Sequence, residues 1–378
     1  MKKVLISGGA GFIGSNLALS LYQKGYDVTV LDNLSEQVHG KSPYDSSPLF
    51  LSIKEKVNFI QGDVIESSFW QRAIADNEVI VHLAAETGTG QSMYQVERYT
   101  KVNVVGTAIM LDYLVNEKHQ VRKVIVASSR AIYGEGKYFS PELGFVYPTS
   151  RLPEEMDRGN FEVTYPKAKS PLQLVATDEE SKIHPSSVYG ITKYNQEQMV
   201  MVVCSSINIA PVAFRYQNVY GPGQSLSNPY TGILSIFSAN IKNNKPINIF
   251  EDGKESRDFV FIDDVVRATI LDIEKDEAHG QIFNVGYGRP ISVIEVAQAL
   301  IKNYGFEAQL QISGNYRIGD IRHNFADLTK IQKLLGYTPE ISFDEGIGRF
   351  AQWVNMQQVN EVRYEESLNE MKAKRLLK

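Results

Sequence analysis

Tyr189 and Lys193, four apart in Tyr189-Gly190-Ile191-Thr192-Lys193, are residue types that can move a proton. On a helix, positions i and i+4 share a face, so phenol and ammonium point the same way. A phenol is a poor base near neutrality, with an ordinary pKa of about 10. A nearby cation favours the phenolate and lowers that value, and the spacing offers this role to Lys193. The plainer alternative is a surface helix pair. Ser128-Ser129 closes an apolar run, Val124-Ile125-Val126-Ala127. A serine hydroxyl there can bond the same reacting oxygen as Tyr189, or simply cap a turn.

A second constellation lies at the N-terminus. Gly8-Gly9-Ala10-Gly11-Phe12-Ile13-Gly14 follows the apolar run Val4-Leu5-Ile6 and opens a helical pattern. Glycines at 9, 11 and 14 satisfy G-x-G-x-x-G. They permit a tight turn, close approach of backbone to a pyrophosphate, and helix packed on strand. The helix start then offers free N–H groups and a partial positive charge to the anion. Asp32 ends the next strand pattern, eighteen residues past Gly14, followed by Asn33. A carboxylate there accepts hydrogen bonds from ribose hydroxyls and repels an added phosphate, which points to NAD over NADP. Asp63-Val64 at the next strand end suits an adenine amine, and Leu83-Ala84-Ala85 lets the dinucleotide approach backbone. With that cofactor, Lys193 can also bond the nicotinamide ribose.

These residues need strands and helices to place them. Val4–Ile6, Val28–Leu31, Val57–Ile60, Val79–Leu83, Val124–Ala127 and Pro211–Phe214 read as strands. Helical patterns alternate with them at 67–75, 92–118 and 188–204. That alternation predicts an α/β fold with a doubly wound parallel sheet. Two stretches interrupt it, a polar loop over 35–56 and a proline-rich insertion over 136–186. The insertion precedes the Tyr189 helix and is either a cover for the site or a peripheral decoration. We therefore divide the chain into a Rossmann unit over 1–215, a smaller α+β binding region over 216–355 and a charged, loosely held tail over 356–378.

Bulk properties exclude several function classes. A net charge of -5 provides no basic field for a phosphate backbone, so nucleic acid is not expected as a partner. No apolar run reaches the roughly 18 residues of a membrane helix, so no membrane partner is expected either. The apolar run after Lys2-Lys3 stops at Ser7, too short for a signal-peptide core. One cysteine, Cys204, rules out an intrachain disulfide, and the six histidines show no paired ligand spacing. The expectations are a cytoplasmic protein and no metal site.

Taken in order, these motifs resemble the extended short-chain dehydrogenase/reductase family of nucleotide-sugar enzymes. The matching pieces are GGAGFIG, Asp32, Asp63-Val64, Leu83-Ala84-Ala85, SSRAIYG at 128–134, YGITK at 189–193, RYQNVYGPG at 215–223 and RDFVFIDDV at 257–265. They span most of the chain. The resemblance implies that Ser129, Tyr189 and Lys193 are catalytic. It implies NAD contacts at Gly8, Gly11, Phe12, Ile13, Gly14, Asn103, Ser128 and Tyr216 besides those above. Thr87, Ser129, Arg130, Tyr189, Asn218, Arg257 and Arg322 are implied at the nucleotide sugar, with Asn218, Arg257 and Arg322 on its diphosphate. Guanidinium groups and an amide suit such a dianion; for Arg322 the alternative is a surface salt bridge. A homodimer is also implied, and the 92–118 and 188–204 helices are its expected interface because long apolar helices need a partner face.

Departures from that pattern narrow the reaction. The 4,6-dehydratases of this family place Asp-Glu directly after the hydroxyl residue, and the decarboxylases also want a glutamate. This chain has Arg130 and Ala131. Without that acid pair, epimerase or 4-keto-sugar reductase remains. The segment 215–237 and the insertion most resemble the dTDP-L-rhamnose 4-epimerases. Such relatives often carry paired cysteines in the insertion, where this chain has Tyr165-Pro166-Lys167-Ala168. In the epimerase mechanism the C4 hydroxyl is oxidised to a ketone and reduced on its other face, so NAD stays bound through turnover. A UDP- or GDP-sugar is the alternative substrate.

Overall fold

The computed structural model describes residues 2–226, 228, 230, 232–305, 308–357 and 364–378. Strands β1 (Lys3–Ser7), β2 (Asp27–Asp32), β3 (Asn58–Gln61), β4 (Val79–His82) and β5 (Lys123–Ser129) follow the predicted alternation. The insertion carries β6 (Tyr138–Ser140), β7 (Gly144–Val146) and β8 (Gln173–Leu174), which form a small antiparallel sheet. Then come β9 (Ala210–Tyr216), β10 (Asn218–Tyr220), β11 (Ile247–Ile249), β12 (Ser256–Phe261) and β13 (Gln281–Val285). The last three are β14 (Pro290–Ser292), β15 (Leu310–Ile312) and β16 (His323–Asn324).

Seven parallel strands build the main sheet in the order β13-β9-β5-β4-β1-β2-β3. Both faces are covered, which is why these strands read as continuous apolar runs. Successive residues alternate between two cores. Val4, Ile6, Val81 and Ile125 enter one, and Leu5, Ile80, Val124 and Val126 enter the other. The strand order reverses between β1 and β4, which opens a crevice at their carboxyl ends.

The main sheet does not end at residue 215. β13 pairs with β9 in parallel register, Phe283 opposite Phe214, after an excursion through β10–β12. The Rossmann unit is thus discontinuous in sequence. The excursion and the residues after β13 form the second region, in which β12 pairs with β10, β14 and β16. β11 pairs with β15 alongside.

Three readings change in detail. The polar loop over 35–56 holds short helical segments at Glu36–His39, Pro43–Ser46 and Pro48–Ile53. Phe50 and Ile53 are buried, and the Phe50 ring lies 4.7 Å from that of Phe59. The loop's apolar residues, Val38, Leu49, Phe50, Leu51 and Ile53, fall in groups too short to show a helical period. The predicted 92–118 helix is α-helical over Val96–Tyr99 and Gly106–Asn116, with a π-helical stretch over Thr100–Val105 between them. The tail is not loose in its described part. Residues Tyr364–Ala373 are helical, and Lys378 and Leu376 pair with the backbone of Tyr316 and Ile318. Residues 358–363 lie outside the described residues.

Candidate active site

Two cavities, of about 440 and 300 Å³, share Tyr189 in their walls. The larger runs over the carboxyl ends of β1, β2, β4 and β5. Its floor is the glycine turn. Gly8 sits at φ +70°, and a Cβ there would lie 2.7 Å from the Ala84 nitrogen. A Cβ on Gly14 would lie 2.4 Å from the Gly8 oxygen. Gly11 caps the Phe12–Gln23 helix without any side-chain bond, so the first N–H groups face the cavity beside Phe12 and Ile13. This is a cradle for a pyrophosphate.

Asp32 ends β2 at the cavity rim. Its carboxylate accepts from Ala10 N at 3.0 Å and Leu34 N at 2.9 Å. Burial pushes its proton affinity up, against the Leu34 N–H and His39, which pull it down. Asn33 donates to Asp63 at 3.0 Å, and both line the cavity with Val64. Leu83, Ala84, Ala85, Thr87, Ser128 and Tyr216 complete its wall. The buried Ser128 hydroxyl has no bond. These residues fit NAD. Asn103 does not share the wall. It is fully buried, accepts from Glu86 N at 2.7 Å and donates to Thr192 at 3.0 Å. It props the Glu86 segment, so its expected direct role is corrected to a supporting one.

At the junction of the cavities stands Tyr189, held by the Val188–Ser206 helix whose N-cap is Ser187. Burial raises the Tyr189 phenol, while the Ser129 hydroxyl bonded to it and the Arg130 charge lower it. The expected partner for that effect was Lys193. Instead Lys193 donates to Gln196 Oε1 at 2.6 Å, and burial brings its own pKa down to about 7. The neighbouring cation acting on the phenol is Arg130. Ser129 also accepts from Ala131 N at 3.1 Å, which fixes its oxygen near the phenol.

The smaller cavity gathers three guanidinium groups. Arg130, Arg257 and Arg317 line it together with Glu251, Glu255 and Asp320, and the guanidinium groups hold Asp320 below its ordinary range against its burial. Glu251 is already paired with Arg151 and Arg322, and burial raises Glu255 to about 7, so the three guanidinium groups can still suit a diphosphate. Asn218 accepts from Arg130 Nε at 2.9 Å and lines the same wall. Arg322 does not. It is fully buried and spends its guanidinium on Glu162, Glu251 and Asp252 at 2.6–2.9 Å. Arg317, five residues earlier, lines the cavity instead. The sequence offered an arginine on each side of Gly319-Asp320 and no sign of which faced inward.

The profile of the NAD dependent epimerase/dehydratase family matches residues 4–151 and 162–286. The chain belongs to this family. It is 35% identical to a dTDP-L-rhamnose 4-epimerase of Burkholderia thailandensis, over 93% of this chain and 95% of that one. It is 31% identical to a putative UDP-glucose 4-epimerase of Methanocaldococcus jannaschii, over 93% and 98%. A solved UDP-glucose 4-epimerase of Thermotoga maritima, holding UDP-glucose, is similar at 29% identity and a TM-score of 0.75, over 93% and 98%. A UDP-glucuronic acid 4-epimerase of Bacillus cereus, holding UDP-glucuronic acid and NAD, matches at 25% identity and 0.74, over 93% and 99%.

In this member of the NAD-dependent epimerase/dehydratase family the insertion stays out of both cavity walls among the described residues. It is keyed to the second region by ions. Arg151 donates to Glu251 at 2.7 and 2.8 Å, and Glu162 accepts from Arg322.

Proposed function

We propose that this NAD-dependent enzyme is a nucleotide-sugar 4-epimerase acting on a dTDP-6-deoxyhexose such as dTDP-L-rhamnose. The observation that carries the reaction type is the wall next to Tyr189. Arg130 and Ala131 follow Ser129, so the segment that would supply a dehydrating acid and base carries none. Similarity to the Burkholderia enzyme supports the sugar.

The glycine turn and Asp32 would hold NAD+, which would supply a hydride acceptor for C4 and a donor for the other face of the ketone, so net redox would be zero. Tyr189 takes the C4 hydroxyl proton and later gives it back, serving as base and then acid. Ser129 shares the hydrogen bond to that oxygen. Arg130 favours the phenolate through its charge. Arg257 and Arg317 hold the diphosphate while the sugar turns over.

The test is turnover of dTDP-L-rhamnose by purified protein without added cofactor, with C4 configuration followed by proton NMR. Conversion to the C4 epimer supports the reading. No conversion, even with NAD added, overturns the rhamnose assignment. A UDP-sugar is the second reading, favoured by the UDP-sugar enzymes among the similar proteins. A 4-keto-sugar reductase would instead need reduced cofactor in every cycle.

A homodimer belongs to the same proposal. Val96, Val105 and Val115 are exposed on the 96–116 helices, and Ile191 and Val202 on the neighbouring Val188–Ser206 helix. Apolar residues left open on two packed helices fit a second copy. Sedimentation equilibrium decides this.

A further inference from the structure

The C-terminal helix Tyr364–Ala373 sits beside the elements that carry Tyr189. Met371 is buried and lines the smaller cavity. It also lines a small adjoining pocket with Ser186 and Ser187, just before the tyrosine. A Cβ on Gly90 would lie 3.1 Å from its sulfur, and Ser92, two residues on, accepts from the Tyr189 backbone N–H at 3.0 Å. Its side chain therefore shares a cavity wall with Tyr189.

Two sets of contacts hold it there. Glu370 Oε2 accepts from the hydroxyls of Tyr94 at 3.1 Å and Tyr230 at 2.9 Å. Those two tyrosines bond each other at 2.8 Å, one from the Rossmann unit and one from the second region. The last residues then form a short ladder, with Tyr316 N–H to Lys378 O at 2.9 Å and Ile318 N–H to Leu376 O at 3.0 Å. Arg317 lies between those two rungs and itself lines the smaller cavity.

We propose that Met371 is a specificity-determining residue, the apolar wall for the hexose, and that Glu370 is the latch holding it in place. The proposal rests on the cleft taking a nucleotide sugar. An uncharged, flexible thioether suits a methyl-bearing 6-deoxyhexose better than a hydroxymethyl or carboxylate substituent.

The test compares Met371→Ala, Met371→Gln and Glu370→Ala with the unaltered protein. Both Met371 variants should raise KM for dTDP-L-rhamnose about tenfold, some 1.4 kcal/mol. Affinity for dTDP, which lacks the sugar, should change less than twofold by calorimetry. Glu370→Ala should do the same and raise hydrogen exchange in 364–378. Equal loss for dTDP and dTDP-L-rhamnose, or no loss for either, overturns the proposal. If dTDP-L-rhamnose is not turned over, the rhamnose assignment fails and the wall is read by exchange alone. UDP-glucose or dTDP-L-rhamnose should then protect 364–378 more than UDP or dTDP does. Absence of added protection by either sugar overturns the proposal.

Discussion

Lys193 donates to Gln196 at 2.6 Å, one turn further along the same helix. Gln196 in turn donates to Thr107 at 2.8 Å and faces His82 at 3.2 Å. Burial keeps His82 neutral, with a pKa of about 3. A neutral, fully buried network thus holds the ammonium.

Gln196 is a positioning residue, and its removal should show in the pH profile. An accepting oxygen favours the charged lysine. Gln196→Leu should lower the Lys193 pKa below its value of about 7 and, where the ammonium bonds the nicotinamide ribose, move the alkaline limb of kcat to lower pH. It should cost roughly 1.5–3 kcal/mol of stability. Gln196→Glu should move the limb the other way. A loss of stability with an unmoved limb would make Gln196 merely structural.

Tyr189→Phe removes the proton carrier and little else. Its kcat should fall by about 10²–10⁴, while NAD copurifies at the level of the unaltered protein. Retained turnover would dismiss Tyr189 as the acid–base group.

Arg322 and Arg317 should fail in opposite ways. Arg322→Gln removes a fully buried guanidinium from Glu162, Glu251 and Asp252, but Glu251 keeps Arg151 and the other two are partly exposed, so Tm should drop by less than the loss of a fully buried pair would bring, with KM little changed. Arg317→Gln should leave Tm nearly intact and raise KM for the nucleotide sugar roughly tenfold or more, the weight of a charge-assisted hydrogen bond. Matching Tm and KM effects in both variants would overturn the assignment of the anion site.

Glu255 lines the smaller cavity, and burial with the Glu251 charge raises its pKa to about 7. A carboxyl raised on folding binds more protons folded than unfolded. Its contribution is therefore present at low pH and lost as pH climbs to about 7. Glu255→Gln should gain stability relative to the unaltered protein across that interval, with the difference level above it. Thermal unfolding at pH 5, 6, 7 and 8 measures the difference. A gap that does not vary with pH would show that Glu255 is not raised.

Much of the site was legible because its residues sit at turns with one physical solution. Gly8 and Gly14 allow no Cβ, and Asp32 ends a strand beside them. Tyr189 and Lys193 obeyed helical spacing, yet spacing could not show that Gln196, on the same face, would take the ammonium. Arg317 and Arg322 share one loop, and only tertiary packing separates the one facing the cavity from the one facing Glu251. Met371 lay in a charged tail with no pattern of its own, because its partner surface comes from residues 90–94, 230 and 316–318.

The late return of β13 to the sheet has a consequence for synthesis on the ribosome. β9 is made by residue 216, but its neighbour is complete only at residue 285. At about 5–20 residues per second, that interval lasts roughly 3 to 14 seconds. Until then the nascent chain presents an open apolar edge, Pro211-Val212-Ala213-Phe214, that any other strand can pair with. A polypeptide released before residue 285 should go into inclusion bodies or remain on a chaperone, whatever the integrity of its glycine turn.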